Sequence, residues 1–159
     1  MPRDKRKPEN VHVFLYKKNK DNDLEYAIFQ RADNPEWWQG ISGGVEVGET
    51  PEQAALRESF EEAGTPINIP IYRLDTISYI PSNIFTDHVW DNSILMIPMF
   101  HFAMPFDGDI TLSYEHKIFK WLTYEEAKRK VYFHDTKNAL WELNQRLLRG
   151  NLTPHIISI

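Results

Sequence analysis

The sequence lacks several features that would each define a class of protein. It contains no cysteine, which excludes disulfide cross-links, thiolate metal ligands and a cysteine nucleophile. Its most apolar stretch, residues 94–106, is interrupted by Pro98, His101 and Pro105 and is shorter than the roughly 20 residues of a membrane-spanning helix. The basic N-terminal residues are not followed by an apolar segment, so no secretory signal is predicted. We therefore expect a cytoplasmic protein that does not bind membranes.

Positive charge is also in deficit. The 159 residues include 18 Lys and Arg against 23 Asp and Glu, which gives a formal net charge of −5. Binding along a nucleic-acid backbone normally needs a basic face, so a long nucleic-acid partner is not expected. Aromatic residues are nevertheless numerous, at 9 Phe, 7 Tyr and 5 Trp. The composition leaves open what so acidic and aromatic a chain binds.

The residues that are present are typical of one globular domain. Hydrophobic residues make up 42% of the chain and charged residues 26%, without a repeat of fixed period or a linker rich in glycine and serine. We expect a single domain over residues 1–159, with residues 1–9 and 151–159 as flexible or peripheral tails.

Short runs of β-branched and aromatic residues predict the strands. The run VHVFLY at residues 11–16 is apolar on both faces, which is typical of a buried strand. Further strands are expected over residues 25–30, 71–79, 93–102 and 118–122. Residues 17–23 are expected to form a turn and residues 31–39 a loop, because polar and breaker residues dominate there.

Polar capping residues mark three helices. Thr50 and Gln53 have the spacing of a capping box, and Gly64 is expected to end that helix. The same box at residues 123 and 126 begins a short helix to about residue 130, and Asp135 is expected to cap a third helix through residue 149. Strands and helices alternate without a strict βαβ repeat, which predicts an α/β (α+β) fold: a mixed β-sheet sandwiched between helices.

The first helix carries a concentration of carboxylates. At 100° per residue, Glu58, Glu61 and Glu62 lie within about 100° on one face. Like charges at this spacing destabilise a helix by a few tenths of a kcal/mol per pair, and the macrodipole disfavours anions near its C-terminal end. A hard divalent cation such as Mg²⁺ or Mn²⁺ would offset both effects, whereas the alternative is a solvated acidic face. The opposite side of the helix is expected to pack against apolar neighbours. Its residues there are Leu56, Phe60 and Ala63.

Three of the seven glycines in the chain stand just before this helix, at positions 43, 44 and 48. A loop with these glycines lets its backbone approach a ligand or a metal-bearing side chain closely. The segment that follows reads Gly43, five residues, Glu49, seven residues, and then Arg-Glu-x-x-Glu-Glu-x-Gly at residues 57–64. This pattern resembles the signature of the Nudix hydrolases at all seven fixed positions. It departs from that signature at Ser59 and Thr65, where the family usually has a bulky aliphatic residue.

The resemblance implies a reaction and roles for the residues that match. It implies hydrolysis of a nucleoside diphosphate linked to another group, with Mg²⁺ (Mn²⁺ can substitute) assisting attack of water on phosphorus. By similarity, Glu58 and Glu62 are metal ligands, with Glu61 as a further ligand or proton acceptor. Arg57 orients these carboxylates, and the carbonyl of Gly43 supports the metal. Which carboxylate is the general base stays open.

Outside this segment the chain resembles the bacterial dihydroneopterin triphosphate pyrophosphatases of folate synthesis. The resemblance lies in QRADNP at residues 30–35, WQ at 38–39, YEH at 114–116, KWL at 120–122 and the Lys-Pro pair at 7–8. It implies that Glu115 is a distal metal ligand or a base. It also implies that Arg6 and Arg31 contact substrate phosphates and that Ser42 lines the pocket. Trp38, like the tryptophans at 37 and 90, is a candidate for stacking on a pterin or purine ring.

Four functions are therefore considered. The first is hydrolysis of dihydroneopterin triphosphate to the monophosphate and pyrophosphate. The second is hydrolysis of dATP or other nucleoside triphosphates to clean the nucleotide pool, and the third is a non-catalytic Nudix-like nucleotide-binding module. Hydrolysis at the 5′ end of RNA is a fourth, but the net negative charge offers no track for a long polyanion. The sequence does not define an oligomeric state.

Overall fold

A computed structural model describes residues 5–85 and 90–155 of the chain. Its strands are β1 (Arg6–Lys18), β2 (Leu24–Arg31), β3 (Trp38–Gln39), β4 (Ile41–Glu46), β5 (Ile71–Pro81), β6 (Met96–Pro105), β7 (His116–Leu122) and β8 (Pro154–His155). Its helices are α1 (Pro51–Ala63), α2 (Tyr124–Lys130) and α3 (His134–Arg149), with a 3-10 turn at Ser82–Ile84. One mixed sheet contains all eight strands, in the order β3-β2-β1-β6-β5-β8, with β4 also paired to β1 and β7 to β2. The predicted α+β class is confirmed.

Strand β1 is the centre of this sheet. It pairs antiparallel with β2 near Tyr16, antiparallel with β4 from Arg6 to Val13, and parallel with β6 from Asn10 to Tyr16. Residues 11–15 are buried on both faces, as the predicted strand at residues 11–16 requires. Apolar side chains on both faces are expected where a strand is covered from two sides.

The helices cover the two faces of the sheet. Helix α1 packs over one face, where Val11, Val13 and Ile41 meet Ala54 and Ala55 in a first apolar core. Helices α2 and α3 cover the other face, where the second core forms around Phe14, Tyr26, Trp38, Ala127 and Leu140. The predicted order of layers, a mixed sheet between helices, is therefore confirmed. In the part of the chain that the structure describes, no helix is long and apolar enough to span a membrane.

Several sequence-based boundaries were wrong. The glycine-rich segment expected as a loop is strand β4, because residues 41–46 pair with β1, and residues 38–39 at the end of the second expected loop form β3. Residues 6–9 belong to β1 and Pro154–His155 to β8, so neither predicted tail is wholly peripheral. Phe133 is the N-cap of α3, without a side-chain cap, and Asp135 lies in the first helical turn.

Helix α1 has the caps that the sequence predicts. The Thr50 hydroxyl accepts from the Gln53 backbone N–H at 3.1 Å, and the Gln53 side chain accepts from the Thr50 N–H at 2.9 Å. Gly64 ends the helix in the left-handed conformation (φ 74°), where its N–H reaches the Phe60 carbonyl at 3.0 Å. A residue with a Cβ rarely adopts that conformation, so the glycine is well suited to the position.

The prediction of which face of α1 is buried was partly wrong. The buried arc runs from Ala54 to Ala63 and includes both Glu58 and Glu62, whereas Phe60 is 56% exposed. The reason is steric, because a stripe of alanine and serine lets the helix lie close against the sheet. The acidic residues beside that stripe are drawn inward with it, which brings two carboxyls toward β4.

Candidate active site

The site begins with the contact between α1 and β4. A Cβ atom added to Gly43 would lie 2.1–2.5 Å from the carboxyl atoms of Glu58, closer than any side chain tolerates. The absence of a side chain at position 43 therefore makes room for the Glu58 carboxyl. Gly43 itself is held by pairing with Val11 of β1, so the carboxyl is placed against β4, beside the central strand of the sheet.

Arg57 binds the surrounding carboxylates together. Its Nε and Nη2 donate to the two carboxylate oxygens of Glu49 at 2.8 and 3.0 Å. Its Nη1 donates to Glu58 at 2.9 Å and to Glu61 at 3.3 Å, and Nη2 also reaches the Gly44 carbonyl at 2.8 Å. The hydrogen bonds to Glu49 raise the pKa of Arg57, and the charges of Glu58 and Glu49 add to that effect. One planar guanidinium thus fixes three carboxylates, a task for which its fork of donors is suited.

Glu62 and Glu58 are buried carboxyls whose pKa values are raised. Burial is the largest cause that raises the pKa of both, and the neighbouring Glu115 contributes to each. Hydrogen bonding with the carboxyls of Glu115 and Glu58 raises the pKa of Glu62 further. Within the described residues, Oε2 of Glu62 is buried and accepts no hydrogen bond. A buried carboxyl with an unused oxygen is costly unless a cation or proton compensates it.

Glu115 comes to this cluster from the turn before β7. The backbone carbonyl of Glu115 accepts from the Ala32 N–H at 3.0 Å, and Ser113 N–H reaches the Glu62 carbonyl at 3.3 Å. These two backbone contacts join the turn to the end of β2 and to α1. The exposed side chain of Glu115 is thereby placed next to the buried Glu62, about 50 residues away in sequence.

Arg31 lies at the end of β2 beside the same carboxyls. Its Nε and Nη2 donate to the two oxygens of Asp33 at 2.8 and 2.9 Å. The hydrogen bonds with Asp33 are the largest cause that raises the pKa of Arg31, and the charges of Glu115 and Glu62 raise it further. The arrangement therefore places one cation at the border of the acidic cluster. This name refers to the four carboxyl side chains of Glu58, Glu61, Glu62 and Glu115.

Arg6 lies on the other face of β4, against Gly44. A Cβ at Gly44 would be 2.3 Å from Arg6 Nε, so this glycine makes room for the Arg6 side chain. The Arg6 guanidinium donates to Asn10 at 2.8 Å and lies over the Phe85 and Trp90 rings, 4.7 and 5.9 Å from their centroids.

Ser42 is on β4 beside Gly43. It pairs with His12 of β1, one position before Gly43, and is half-buried.

Trp38 is not brought to the acidic cluster. It is 7% exposed, belongs to the second apolar core on the α2 and α3 face, and has the Lys130 ammonium 4.3 Å from its ring centroid. A ring covered in this way does not offer a face for stacking, so the structure contradicts the expected substrate-binding role of Trp38. The sequence could not separate a core tryptophan from an exposed one among two adjacent residues.

Two further residues at the site were not identified from the sequence. Asp33 was read only as a loop residue, although an Arg-x-Asp pair at the end of a strand is a weak signal for an ion pair. His116 has no predicted role, but it is 6% exposed, and burial lowers its pKa. Its Nδ1 has no hydrogen-bond partner within the described residues.

The carboxylate oxygens of the acidic cluster are chemically suited to bind a hard divalent cation. All the side chains concerned offer carboxylate oxygen, the preferred ligand of Mg²⁺ and Mn²⁺, and Glu62 Oε2 lacks a hydrogen bond. As placed, however, no three His, Asp or Glu side chains within residues 5–85 and 90–155 form a complete set of metal ligands. The residues fit the ion in chemical type, and their side chains would have to move to hold it.

Comparison with known proteins agrees with this geometry. The family model described as the Nudix domain matches residues 6–141, which include every residue of the acidic cluster. The chain belongs to the Nudix family. Its members of known activity named below are hydrolases of phosphoric anhydrides, and this chain is a Nudix hydrolase.

Three similar proteins illustrate the range within this family. The asymmetrical bis(5′-nucleosyl)-tetraphosphatase of Sus scrofa is 30% identical over 128 residues, which cover 78% of this chain and 81% of that protein. The dihydroneopterin triphosphate diphosphatase of Escherichia coli K12 is 30% identical over 122 residues, covering 74% and 79%. A Listeria monocytogenes protein assigned as a Nudix hydrolase has a crystal structure with a TM-score of 0.82 and 31% identity, covering 92% of this chain and 99% of that one.

Proposed function

We propose that this Nudix hydrolase is a divalent-metal-dependent pyrophosphohydrolase that acts on a nucleoside-triphosphate-like substrate. Dihydroneopterin triphosphate is the first candidate, with the monophosphate and pyrophosphate as products. The observation that carries the proposal is the clustering of Glu58, Glu61 and Glu62. In this cluster Arg57 holds Glu58 and Glu61, and the Glu58 carboxyl lies against Gly43. Similarity to the E. coli dihydroneopterin triphosphate diphosphatase over 74% of the chain supports the choice of substrate.

In this proposal the buried carboxyls hold the metal. Glu58 and Glu62 are the ligands on α1, and Glu61, Glu115 and the Gly43 carbonyl are the further oxygens within the cluster. Nudix hydrolases generally use divalent metal ions. With Mg²⁺ or Mn²⁺ bound to these carboxyls, the polyphosphate charge would be neutralised and water would be activated for attack on phosphorus. Glu115 and Glu61, which are the exposed carboxyls of the cluster, are the candidates to accept the proton of that water.

The cations around the cluster act on the substrate and on the carboxyls in different ways. Arg57 already donates to Glu49, Glu58, Glu61 and the Gly44 carbonyl, so its role is to position carboxylates rather than to bind phosphate. Arg31 has Asp33 on one side and the acidic cluster on the other, which suits it to a substrate phosphate. Arg6 and Ser42 are assigned to the substrate by the resemblance alone, because Arg6 lies against Gly44 on the face of β4 opposite to Glu58.

A second candidate substrate is a dinucleoside tetraphosphate. The specific observation in its favour is the 30% identity to the pig asymmetrical bis(5′-nucleosyl)-tetraphosphatase, which covers 78% of this chain. The chemistry required of the acidic cluster is the same, because both substrates are cleaved between phosphoryl groups by water. The two candidates differ in what lies beyond the phosphates, and dATP is a third substrate of the same kind.

The substrate is tested by comparing kcat/KM for dihydroneopterin triphosphate, dATP and diadenosine tetraphosphate with Mg²⁺. We expect the pterin substrate to be preferred by about tenfold or more, which is about 1.4 kcal/mol of discrimination. An equal or higher value for either adenine substrate overturns the pterin assignment. Products formed in ¹⁸O-labelled water show which phosphorus is attacked.

Catalysis itself is tested with Glu58→Gln, which removes one carboxylate and keeps the side-chain size. We expect kcat to fall by at least about 100-fold on the preferred substrate. The matched control is Glu125→Gln, at an exposed position of α2, which should leave kcat unchanged. Unchanged turnover in Glu58→Gln would show that the acidic cluster is not catalytic. Binding without turnover by the unsubstituted protein, on all three substrates, would instead favour the nucleotide-binding module.

A further inference from the structure

A basic cavity lies on the face of the sheet opposite to α1. It has a volume of about 270 Å³ and lies between strand β7 and the C-terminal end of α2. Its lining consists of three cations, one carboxylate and one apolar side chain: Lys120, Arg129, Lys130, Glu126 and Leu122. The Nudix signature and the substrate candidates above assign no role to these residues.

Two of the cations are held over the same aromatic ring. The ammonium groups of Lys130 and Lys120 lie 4.3 and 5.6 Å from the centroid of the Trp38 ring. A tryptophan face attracts each ammonium, but two ammonium groups beside one ring repel each other. The buried Trp38 ring therefore brings two cations of the cavity lining close together.

The positive charge in the cavity is not balanced by nearby carboxylates. Glu126 is the one carboxylate of the lining, and its Oε1 accepts from the Thr123 N–H and hydroxyl at 3.1 and 2.9 Å as part of the α2 cap. Among the described residues, none of the three cations forms an ion pair within 4.0 Å. Three cations against one carboxylate leave a local excess of positive charge in an acidic molecule.

Helix electrostatics explain only part of this arrangement. Cations in the last turn of a helix are favoured by the macrodipole, which accounts for Arg129 and Lys130 at the end of α2. It does not account for Lys120, which comes from β7 and adds a like charge to the same cavity. An anion in the cavity would offset the repulsion among all three.

We propose that the basic cavity binds a phosphate-bearing anion at a site separate from the acidic cluster. Lysine ammonium groups and an arginine fork match the oxygens of a phosphoryl group. The volume is small, and Trp38 is 7% exposed, so the cavity has no free aromatic face on which a base could stack. Recognition is therefore of the phosphate chain alone, whether it comes from free pyrophosphate or from the end of a nucleotide.

The test uses metal-free protein, in which the carboxylates of the acidic cluster repel anions. Inorganic pyrophosphate, tripolyphosphate and ATP are titrated separately while the ¹H–¹⁵N signals of the Trp38 indole and of the Lys130 amide are followed by NMR. We expect all three to shift these signals in a saturable way, with ATP and tripolyphosphate binding within about twofold of each other. ATP binding more than about tenfold tighter than tripolyphosphate overturns recognition by phosphate alone, and absence of saturable shifts overturns the site.

Charge-neutralising variants locate the binding. Lys120→Gln combined with Lys130→Gln should weaken pyrophosphate binding by about tenfold or more. The matched control is Lys17→Gln, because Lys17 also holds its ammonium over a tryptophan, 4.3 Å from the Trp121 centroid, but is not part of the cavity lining. An equal loss in the control variant contradicts the proposal, since it would show a general effect of net charge.

A kinetic measurement distinguishes the basic cavity from the site of the proposed reaction. With Mg²⁺ present, the double variant should hydrolyse the preferred substrate with a KM within about twofold of the original protein. A KM raised as much as the pyrophosphate affinity is lowered would place these lysines in the substrate site and overturn the separate site. Because binding is measured without metal, it remains interpretable even if the proposed substrate is wrong.

Discussion

At the scale of single residues, Ser59 is an unusual choice for the interior of α1. It is fully buried, and its hydroxyl has no hydrogen-bond partner within the described residues. A buried polar group without a partner costs roughly 1–3 kcal/mol. We predict that Ser59→Ala raises the free energy of unfolding by about 1 kcal/mol, measured by urea denaturation, because alanine fills nearly the same space without the unpaired oxygen.

A second buried serine provides the control for this prediction. Ser78 is 2% exposed, but its hydroxyl lies 2.6 Å from His101 Nε2. Ser78→Ala removes a partner from a buried ring nitrogen, so it should lower the free energy of unfolding by about 1–3 kcal/mol. Equal destabilisation by both variants would contradict the argument, since it would mean that the Ser59 hydroxyl contributes favourably.

At the scale of elements, the contact of α1 with β4 is the part of the fold that the acidic cluster depends on. Gly43→Ala would place a Cβ on top of the Glu58 carboxyl, and that carboxyl or the helix must move. Displacement of a catalytic group by about 1 Å can cost about 100-fold in rate. We predict a fall of about that size in kcat for Gly43→Ala, measured on the preferred substrate, with circular dichroism to confirm folding.

The matched control replaces a different glycine by alanine. Gly150 ends α3 with φ 66° and has no atom within 4 Å of an added Cβ. Gly150→Ala should cost about 1 kcal/mol of stability through its left-handed backbone but leave kcat unchanged. If Gly150→Ala lowered kcat as strongly as Gly43→Ala, the loss would reflect general destabilisation and not the contact with Glu58.

The helices were easier to predict than the strands around them, for physical reasons. Capping at Thr50 and Thr123 depends on residues three positions apart, so the sequence contains the whole signal. Strand β4 was missed because its glycines are typical of loops, and its identity depends on pairing with β1 about 30 residues away. The buried side of α1 was misjudged for a similar reason, since small residues rather than large apolar ones determine how closely it packs.

The residues of the candidate site also divide into those that local spacing predicts and those that depend on distant parts of the chain. The spacing within residues 43–64 identified Glu58, Glu61, Glu62 and Arg57, which the structure brings together on one helix. Asp33 and His116 could not be found in this way, because their positions depend on the meeting of β2 with the turn before β7. Trp38 was misassigned because the layer that a short strand faces is decided by the whole sheet.

At the scale of the whole molecule, charge is separated between the two faces of the sheet. The segment from Gly43 to Thr65 contains six glutamates and one arginine, a local charge of −5 that equals the formal charge of the entire chain. The rest of the chain, which includes the basic cavity on the opposite face, is balanced as a whole at 17 Lys and Arg against 17 Asp and Glu. Net charge therefore argues against a long polyanion along the surface, but it does not argue against a small polyphosphate that binds with a metal.

Two buried histidines between these faces make stability depend on pH. His12 Nε2 accepts from the Gly40 N–H at 2.9 Å, and His12 Nδ1 lies 3.2 Å from His101 Nδ1. Burial is the main cause that lowers the pKa of both rings. The pKa of His101 falls to about 4, although the charge of Glu142 acts to raise it. In the unfolded chain a histidine titrates near pH 6.5.

Below about pH 6.5 the unfolded chain therefore binds more protons than the folded one, and stability falls as the pH is lowered toward 4. For His101 alone, the free energy of unfolding should fall by about 2 kcal/mol between about pH 7 and pH 5, measured by urea denaturation. His101→Gln should remove that part of the loss, whereas His134→Gln, at an exposed position of α3, should not. Glu58 and Glu62 have raised pKa values, which favour the folded state in acid and oppose the effect of the histidines on stability. This contribution is the same in both variants, so it cancels when their pH dependences are compared. An unchanged pH dependence in His101→Gln would mean that His101 is already able to accept a proton in the folded protein.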